Sequence, residues 1–251
     1  MAKKIWDLVP RLFNAMRASH EEVKLFGAHD FVHAARVGEM AMRVALDEWH
    51  SESIALVAGA AGLCHNADRI IQRARGIGHG QVSTRDINLL ISSWLNREPD
   101  LFGNSSTVGG VKRDSAAAGR RYQVISAVLN HSEKNNPGDS QVLIALKDGD
   151  RVVNLDIDCF ARCGQHYHDI PVVDYKNWLS DPEATYFSPK SVLKDAAHTH
   201  EWADPKRTDV CVRTALGKKL AEERVDAYLK LFAALEKQLE AEGIRPYPFE
   251  R

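Results

Sequence analysis

Apolar residues recur at intervals of three and four along most of this chain, and this helical spacing constrains its fold more than any other feature. It predicts six helices before residue 156 and a long helix over about 209–243. Polar residues that cap helix starts precede several of them: Asp30, Ser51 or Ser53, and the group beginning at Ser83. No stretch has the sustained alternation of a strand, so the pattern predicts an all-α fold.

The predicted organisation is one compact domain made of three segments. Residues 1–155 form the helical core, and residues 210–251 form a C-terminal helix that packs on it. Residues 156–209 hold most of the aromatic residues and prolines of the second half and have no sustained period. We expect loops and short helices there, wrapped over one end of the core as a candidate lid.

Bulk composition excludes some classes of function. The 33 Lys and Arg residues balance 34 Asp and Glu residues, which predicts no binding to a nucleic-acid polymer or an anionic membrane surface. The longest uncharged apolar run, residues 54–64, is too short to span a bilayer. The start of the chain lacks a signal-peptide pattern and the four cysteines are scattered, so we expect a cytoplasmic location.

Four polar residues lie on the apolar stripes of four predicted helices. They are His33, His65, His131 and Asp150, each three, four or seven residues from an apolar neighbour on the same stripe. A buried, unpaired carboxylate costs several kcal/mol, and buried imidazoles also need partners. One divalent cation satisfies such a set together, whereas a single histidine on a stripe is more often a hydrogen-bonded core residue. A shared metal site and a buried polar network both remain open at this point.

Four motifs that contain these residues resemble those of the HD-domain metal-dependent phosphohydrolases. The segment from His29 to Val37 is similar to the opening motif, and Gly62 to Asn66 lies where the family carries its His-Asp doublet. The remaining two motifs are Val128 to Ser132 and Leu146 to Val152. The resemblance covers roughly residues 25–155 and implies an HD-type helical core there.

The resemblance implies one divalent metal ion at the centre of that core. His33, His65 and Asp150 would be ligands, with Asn66 in the fourth ligand position. Mn, Mg, Fe, Co, Ni and Zn are not distinguished by this ligand set. In the family such an ion polarises a phosphoryl oxygen and lowers the pKa of a bound water.

The same resemblance implies catalytic and substrate-binding roles. Asp150 is catalytic as a ligand, and His131 orients substrate or transfers a proton. Arg36, Arg69 and Lys134 are candidates to neutralise phosphate charge, with solvated helix-face cations as the equal alternative.

The departure from the family pattern is Asn66. A carboxamide oxygen is a weaker ligand for a divalent ion than a carboxylate. Three explanations stay open: a variant that still binds metal, a degenerate protein that binds a nucleotide-like ligand without turnover, or an introduced change that traps substrate. Asp68 and Asp148 are candidate replacements, although helical direction for Asp68 and a capping role for Asp148 argue against both.

A second group of candidate ligands has the pattern C-x3-C-x2-H-x-H, formed by Cys159, Cys163, His166 and His168. Tetrahedral zinc uses such residues, but this spacing matches no common zinc motif. Buried thiols and surface histidines are the favoured interpretation.

The sequence therefore favours a hydrolase for a small phosphorylated metabolite, with a nucleotide as the class that the resemblance indicates. The alternative is an impaired or non-catalytic protein that binds a nucleotide-like ligand or partner because of Asn66. A helical interaction domain is the third option. A homodimer is compatible with the sequence.

Overall fold

The computed structural model describes residues 3–78, 80–103 and 115–249. Within these ranges the chain forms twelve α-helices and two 3-10 helices, and its β-structure is limited to one isolated bridge between Thr185 and Ser188. The predicted all-α class is confirmed. None of the described helices is both long enough and apolar enough to cross a membrane.

The helices follow one another with short connections. In chain order they are α1 (Ile5–Leu8), α2 (Pro10–Glu22), the 3-10 helix Gly27–His29, α3 (Phe31–Trp49), α4 (Glu52–Cys64), α5 (Ala67–Arg75), α6 (Thr84–Leu95), α7 (Pro99–Phe102), α8 (Ser115–Asn130), α9 (Gln141–Asn154), α10 (Asp158–His166), α11 (Val192–His198), the 3-10 helix Thr199–Trp202 and α12 (Ala215–Ala241).

The predicted capping residues begin their helices by the expected hydrogen bonds. Asp30 Oδ1 accepts from the backbone N–H of His33 at 2.8 Å, which fixes the start of α3. Ser51 and Ser83 cap α4 and α6 in the same way. Pro10 separates α1 from α2 and takes the first helical position, where its missing N–H costs no intrahelical bond.

Helices α3, α4 and α9 pack together at the centre of the main core, and glycines set their separation. A Cβ atom on Gly62 of α4 would lie 2.6 Å from Cα of Gly38 on α3. A Cβ atom on Gly149 of α9 would lie 2.8 Å from the backbone nitrogen of Ala41 on α3. The three helices therefore meet backbone to backbone, which is a distance that only glycine permits at these positions.

The long final helix is attached to the core by a buried carboxylate. Asp148 Oδ2 accepts from the backbone N–H groups of Arg213 and Thr214 at 2.9 and 2.8 Å, and from Thr214 Oγ1 at 2.9 Å. Burial raises the pKa of Asp148 in spite of these bonds. This carboxylate therefore anchors the start of α12.

Residues 156–209 pack against α12 rather than lying loosely over the core. Short helices α10 and α11 supply Cys159, Cys163 and Leu193 to a second hydrophobic cluster, and α12 supplies Tyr228 and Phe232. The predicted short helices and loops are present, and they have a core of their own.

We expect Gly62→Ala to lower the free energy of unfolding by about 3 kcal/mol, because the added methyl group has no room against the α3 backbone. Urea unfolding measures this. Gly119→Ala on α8 is the matched control: its Cβ meets nothing within 4 Å, so the better helix propensity of alanine should raise stability by about 0.5–1 kcal/mol. Equal stability of the Gly62→Ala variant and the parent would contradict the close crossing.

A half-buried histidine that packs on two residues of the second cluster should make stability depend on pH. His200 lies between Tyr228 and Phe232, with ring centroids 5.4 and 5.5 Å away, and burial lowers its pKa to about 4 from 6.5. The His200 imidazole is therefore protonated at a lower pH in the folded state than in the unfolded state. Its contribution to stability is complete above about pH 6.5 and is lost as the pH falls towards 4.

We accordingly expect His200→Phe to make the decline of unfolding free energy between pH 6.5 and pH 4 shallower than in the parent. His168→Phe, which changes an exposed histidine, should leave that slope unaltered. Chemical unfolding at a series of pH values gives both slopes, and parallel curves for His200→Phe and the parent would show that packing does not lower the pKa of this histidine.

Candidate metal centre

Two imidazoles and one carboxylate converge where α3, the end of α4 and α9 meet. His33 Nε2 lies 3.2 Å from His65 Nε2 and 3.4 Å from Asp150 Oδ1, and the third edge, from His65 Nε2 to Asp150 Oδ1, is 3.8 Å. Among the residues that the structure describes, this triad is the only group of three or more histidine, cysteine or acidic side chains with such convergent atoms.

Hydrogen bonds outside the triad hold two of its members in orientation. His65 Nδ1 is 2.7 Å from the carbonyl oxygen of Gly62, so this nitrogen carries the proton and Nε2 keeps its lone pair for the centre. Asn154 Nδ2 donates to Asp150 Oδ1 at 2.9 Å. Orientation by a backbone carbonyl or an amide is the usual support of a metal-ligating histidine or carboxylate.

The charges of the triad suit a cation. Burial lowers the pKa of His65 to about 3, so this imidazole is neutral at neutral pH. Burial alone would raise the pKa of Asp150, but a hydrogen bond from His33 and the nearby His65 hold it below its ordinary value. The Asp150 side chain is 24% exposed, so solvent reaches the triad on this side.

The dimensions also fit. The three ligand atoms form a triangle, and the point equidistant from them lies about 2.0 Å from each atom. This is the length of an ordinary bond from zinc to imidazole or carboxylate. Three protein ligands of this kind leave further positions of the ion open to water or substrate. His33, His65 and Asp150 are therefore the residues that would hold a divalent ion here.

A buried arginine that the sequence did not single out borders the triad. Arg162 of α10 directs its NH1 group to His33 Nδ1 at 3.4 Å and to Asn154 Oδ1 at 3.3 Å. A guanidinium only donates, so His33 Nδ1 accepts and the His33 proton lies on Nε2, facing Asp150. In this arrangement the polar groups of the triad satisfy one another, and the Arg162 charge opposes a cation.

Asn66 is buried beside the triad, and its amide is already used. Asn66 Nδ2 donates to the carbonyl oxygen of His29 at 3.3 Å, which joins the start of α5 to the 3-10 helix Gly27–His29. Only Oδ1 of this side chain can act as a metal ligand. The ligand role of Asn66 remains a prediction.

His131 stands next to the triad, as the sequence predicted. Its ring centroid is 5.6 Å from that of His65, in an edge-to-face arrangement. His131 Nδ1 donates to the carbonyl oxygen of Val128 at 2.6 Å, which leaves Nε2 as an acceptor. The half-buried ring can therefore take a proton from, or hydrogen-bond to, a ligand at the triad.

The three predicted phosphate-binding cations have different surroundings. Arg36 is paired with both Asp156 and Asp158, and the exposed Lys134 is paired with Asp209 at 2.8 Å. Carboxylates thus neutralise these two cations, which argues against their direct use for phosphate. Arg69 also has an acidic neighbour, Asp68 at 3.6 Å, and its NH1 group donates to Gln72 at 3.1 Å. Burial lowers the pKa of His29, and the charge of Arg69 lowers it further.

The second predicted ligand group does not assemble around one point. Cys159 and Cys163 face each other with their sulfur atoms 3.5 Å apart and lie in the second hydrophobic cluster. His166 instead packs against His29 at 6.0 Å between ring centroids, and His168 is exposed. Buried thiols were the favoured interpretation, and the structure agrees.

The segment at 156–209 adds one further aromatic group near the triad. Tyr186 packs edge-to-face against Trp202 at 6.2 Å between ring centroids. Burial and the nearby carboxylates of Asp150 and Asp195 raise the pKa of Tyr186.

No protein-family model, curated protein or solved structure matches this chain.

We expect Arg162→Gln to tighten binding of Mn²⁺ or Zn²⁺ by about tenfold, because it removes a positive charge and frees His33 Nδ1 to carry the proton. Arg162→Lys keeps the charge and should not tighten binding. Calorimetric titration with each metal gives the affinities, and thermal unfolding confirms that both variants are folded. Arg207→Gln, which breaks a surface ion pair with Glu201, is the control. Unchanged affinity in Arg162→Gln would show that Arg162 does not oppose the cation.

Proposed function

We propose that this protein is a metal-dependent hydrolase of small phosphorylated metabolites, with nucleotides as the favoured class. The observation that carries the proposal is the convergence of His33, His65 and Asp150 on one point at metal-ligand distances. The resemblance of four motifs to the HD-domain phosphohydrolases supports it, because the same three residues fill the ligand positions of that pattern.

A divalent ion at the triad would supply Lewis acidity and an activated water for attack at phosphorus. The side chains of this chain supply orientation and proton transfer. Asn154 holds Asp150 Oδ1 in place at 2.9 Å, and His65 is fixed by its bond to Gly62. His131 presents Nε2 beside the triad as the acceptor for a proton of the attacking group or as a hydrogen-bonding partner of the substrate.

We further propose a small substrate rather than a polymer, and a cytoplasmic location. The net charge of −1 offers no general attraction for a nucleic-acid chain. The four cysteines are free and buried, which suits a reducing compartment. A homodimer stays compatible with this function, since the triad is complete within one chain.

The second candidate function is a non-catalytic protein on the same scaffold that binds a nucleotide-like ligand. Two observations favour it. The Asn66 amide donates a hydrogen bond to the carbonyl of His29, and the positively charged Arg162 donates a hydrogen bond to His33 Nδ1. The neutral Asn66 side chain adds no negative charge where a dication would lie, and Arg162 adds a positive charge next to that place.

Metal content and hydrolysis separate these functions from a purely structural polar network. We expect protein purified without chelators to contain a divalent ion and to release phosphate from nucleotides or simple phosphate esters. Asp150→Asn should lower metal occupancy and reduce the rate by at least about 100-fold, because it removes the only anionic ligand of the triad. Asp47→Asn, on the exposed face of α3, should change neither.

If neither the parent nor Asp47→Asn contains metal, even after incubation with Mn²⁺ or Zn²⁺, the triad is a buried polar network and the proposed function is wrong. Metal without hydrolysis on any phosphate ester would support the non-catalytic candidate instead.

Asn66→Asp tests the position that departs from the family pattern. We expect tighter metal binding by about 10- to 100-fold and a faster hydrolysis rate, because a carboxylate ligand is added. The substitution also loses the hydrogen bond to the His29 carbonyl, so unfolding should be measured in parallel. If the parent hydrolyses phosphate esters and Asn66→Asp changes neither affinity nor rate, position 66 is not a ligand.

A further inference from the structure

Two of the four cysteines face each other on α10. Cys159 and Cys163 are one helical turn apart, and their sulfur atoms are separated by 3.5 Å. Both are free thiols, with 5% and 7% of their surface exposed. Cys211, at 8% exposed, is buried to the same degree but makes no hydrogen bond to another thiol in the described part of the chain. The function proposed above uses neither member of the α10 pair.

The two thiols of this pair differ in how easily they ionise. The hydrogen bond from the Cys163 thiol lowers the pKa of Cys159, and the positive charge of Arg162 acts in the same direction, although burial opposes both. The hydrogen bond to Cys159, together with burial, raises the pKa of Cys163. A thiol that forms a thiolate next to a second thiol that can resolve it is the arrangement found in redox-sensing cysteines.

A disulfide between the two cysteines would require a change in α10. Residues four apart in an α-helix have Cβ atoms about 5–6 Å apart. A disulfide instead holds its two Cβ atoms at about 3.5–4.5 Å. The helical turn between Cys159 and Cys163 must therefore bend or unwind when the bond forms. A disulfide that is strained in this way is easily reduced, so the change is reversible.

Arg162 lies in this turn, directly before Cys163. Its NH1 group contacts the carbonyl oxygen of Ala28 at 3.2 Å, Asn154 Oδ1 at 3.3 Å and His33 Nδ1 at 3.4 Å. These distances are at the long end of the range for hydrogen bonds, so a displacement of about 1 Å breaks them. Bending of the turn would thus withdraw the guanidinium from the triad.

We infer that Cys159 and Cys163 form a redox-sensitive pair, which a peroxide converts into a disulfide that moves Arg162 away from His33. The Cys159 thiolate attacks one oxygen of hydrogen peroxide, the O–O bond breaks, and Cys159 becomes a sulfenic acid as hydroxide leaves. The Cys163 sulfur then attacks the Cys159 sulfur, so that the S–S bond forms, the S–O bond breaks and water leaves with the Cys163 proton. In total, two thiols lose two protons and two electrons, and one peroxide is reduced to two water molecules.

The pair itself does not depend on the proposed function, because its thiols lie in the second hydrophobic cluster and outside the triad. Its consequence for metal binding does rest on that function. Arg162 places a positive charge beside the triad, so its withdrawal strengthens the attraction for a cation. The oxidised protein would therefore bind a divalent ion more tightly than the reduced protein.

The first test is peroxide treatment of the reduced full chain, followed by alkylation of the free thiols and peptide mass spectrometry. Trypsin cleaves after Arg162, so a disulfide between Cys159 and Cys163 joins two separate peptides. We expect this link to form and a thiol reductant to remove it, while Cys211 stays alkylated. Cys159→Ser should abolish the link. Cys211→Ser, which changes an equally buried thiol, should leave it intact.

Hydrogen exchange of the α10 amides then tests the structural change without any metal. We expect faster exchange in the oxidised parent than in the reduced parent, and no difference when Cys159→Ser is treated in the same way. Titration with Mn²⁺ tests the consequence for the triad. Oxidation should tighten Mn²⁺ binding by about tenfold in the parent and leave the affinity of Arg162→Gln unchanged, because this variant already lacks the charge.

Oxidation of Cys211 as fast as the pair, or loss of the Cys159 and Cys163 thiols without a disulfide between them, would overturn the inference. A disulfide that leaves the exchange of α10 unchanged would overturn the movement of Arg162. A disulfide with faster exchange, in a protein that binds no Mn²⁺ in either state, would support the redox-sensitive pair while contradicting the proposed metal-dependent function.

Discussion

The close crossing of three helices at glycine is the constraint on which the site depends. Gly62 on α4 meets the backbone of Gly38 on α3, and Gly149 on α9 meets the backbone of Ala41. Two of the triad residues follow these glycines closely: His65 comes three residues after Gly62, and Asp150 comes directly after Gly149. A wider separation of the helices would move the imidazole and carboxylate atoms beyond the reach of one ion. Gly62 has a second effect, because its carbonyl orients the His65 ring.

Charge balance decides how strongly this geometry can hold a dication. Asp150 supplies one negative charge, and Arg162 supplies one positive charge that reaches the same cluster through Asn154 and His33. The charges of Asp150 and Arg162 therefore cancel each other before any ion binds. The neutral Asn66 amide adds no anionic ligand. The neutral side chain at position 66 and the positive charge of Arg162 therefore both weaken the attraction for a cation, and the geometry is more favourable to a cation than the electrostatics are.

Local patterns in the sequence predicted the three residues of the triad. Contacts between distant segments could not be predicted in this way, because they have no local sequence pattern. The stripe positions of His33, His65 and Asp150 depend only on helical periodicity, and Asp30 could be recognised as a cap from its place before α3. Asn154 was within reach of the same reasoning, since it follows Asp150 by one helical turn. Arg162 was not, because its contact with His33 depends on how α10 docks. Neighbouring sequence positions grouped His166 with Cys159 and Cys163, but α10 places the thiols in the second hydrophobic cluster and its last residue against His29.

The segment from 156 to 209 then has a larger part in the chemistry than a cover over the core would have. Its sequence lacks a helical period because α10 and α11 are short, yet a hydrophobic cluster shared with α12 fixes their positions. From this fixed position the segment places Arg162 against His33 and packs the ring of His166 against that of His29. The inner helices thus set where an ion can lie, whereas residues 156–209 contribute the positive charge of Arg162 beside it. The affinity for an ion can consequently change through residues 156–209 while the arrangement of α3, α4 and α9 stays the same.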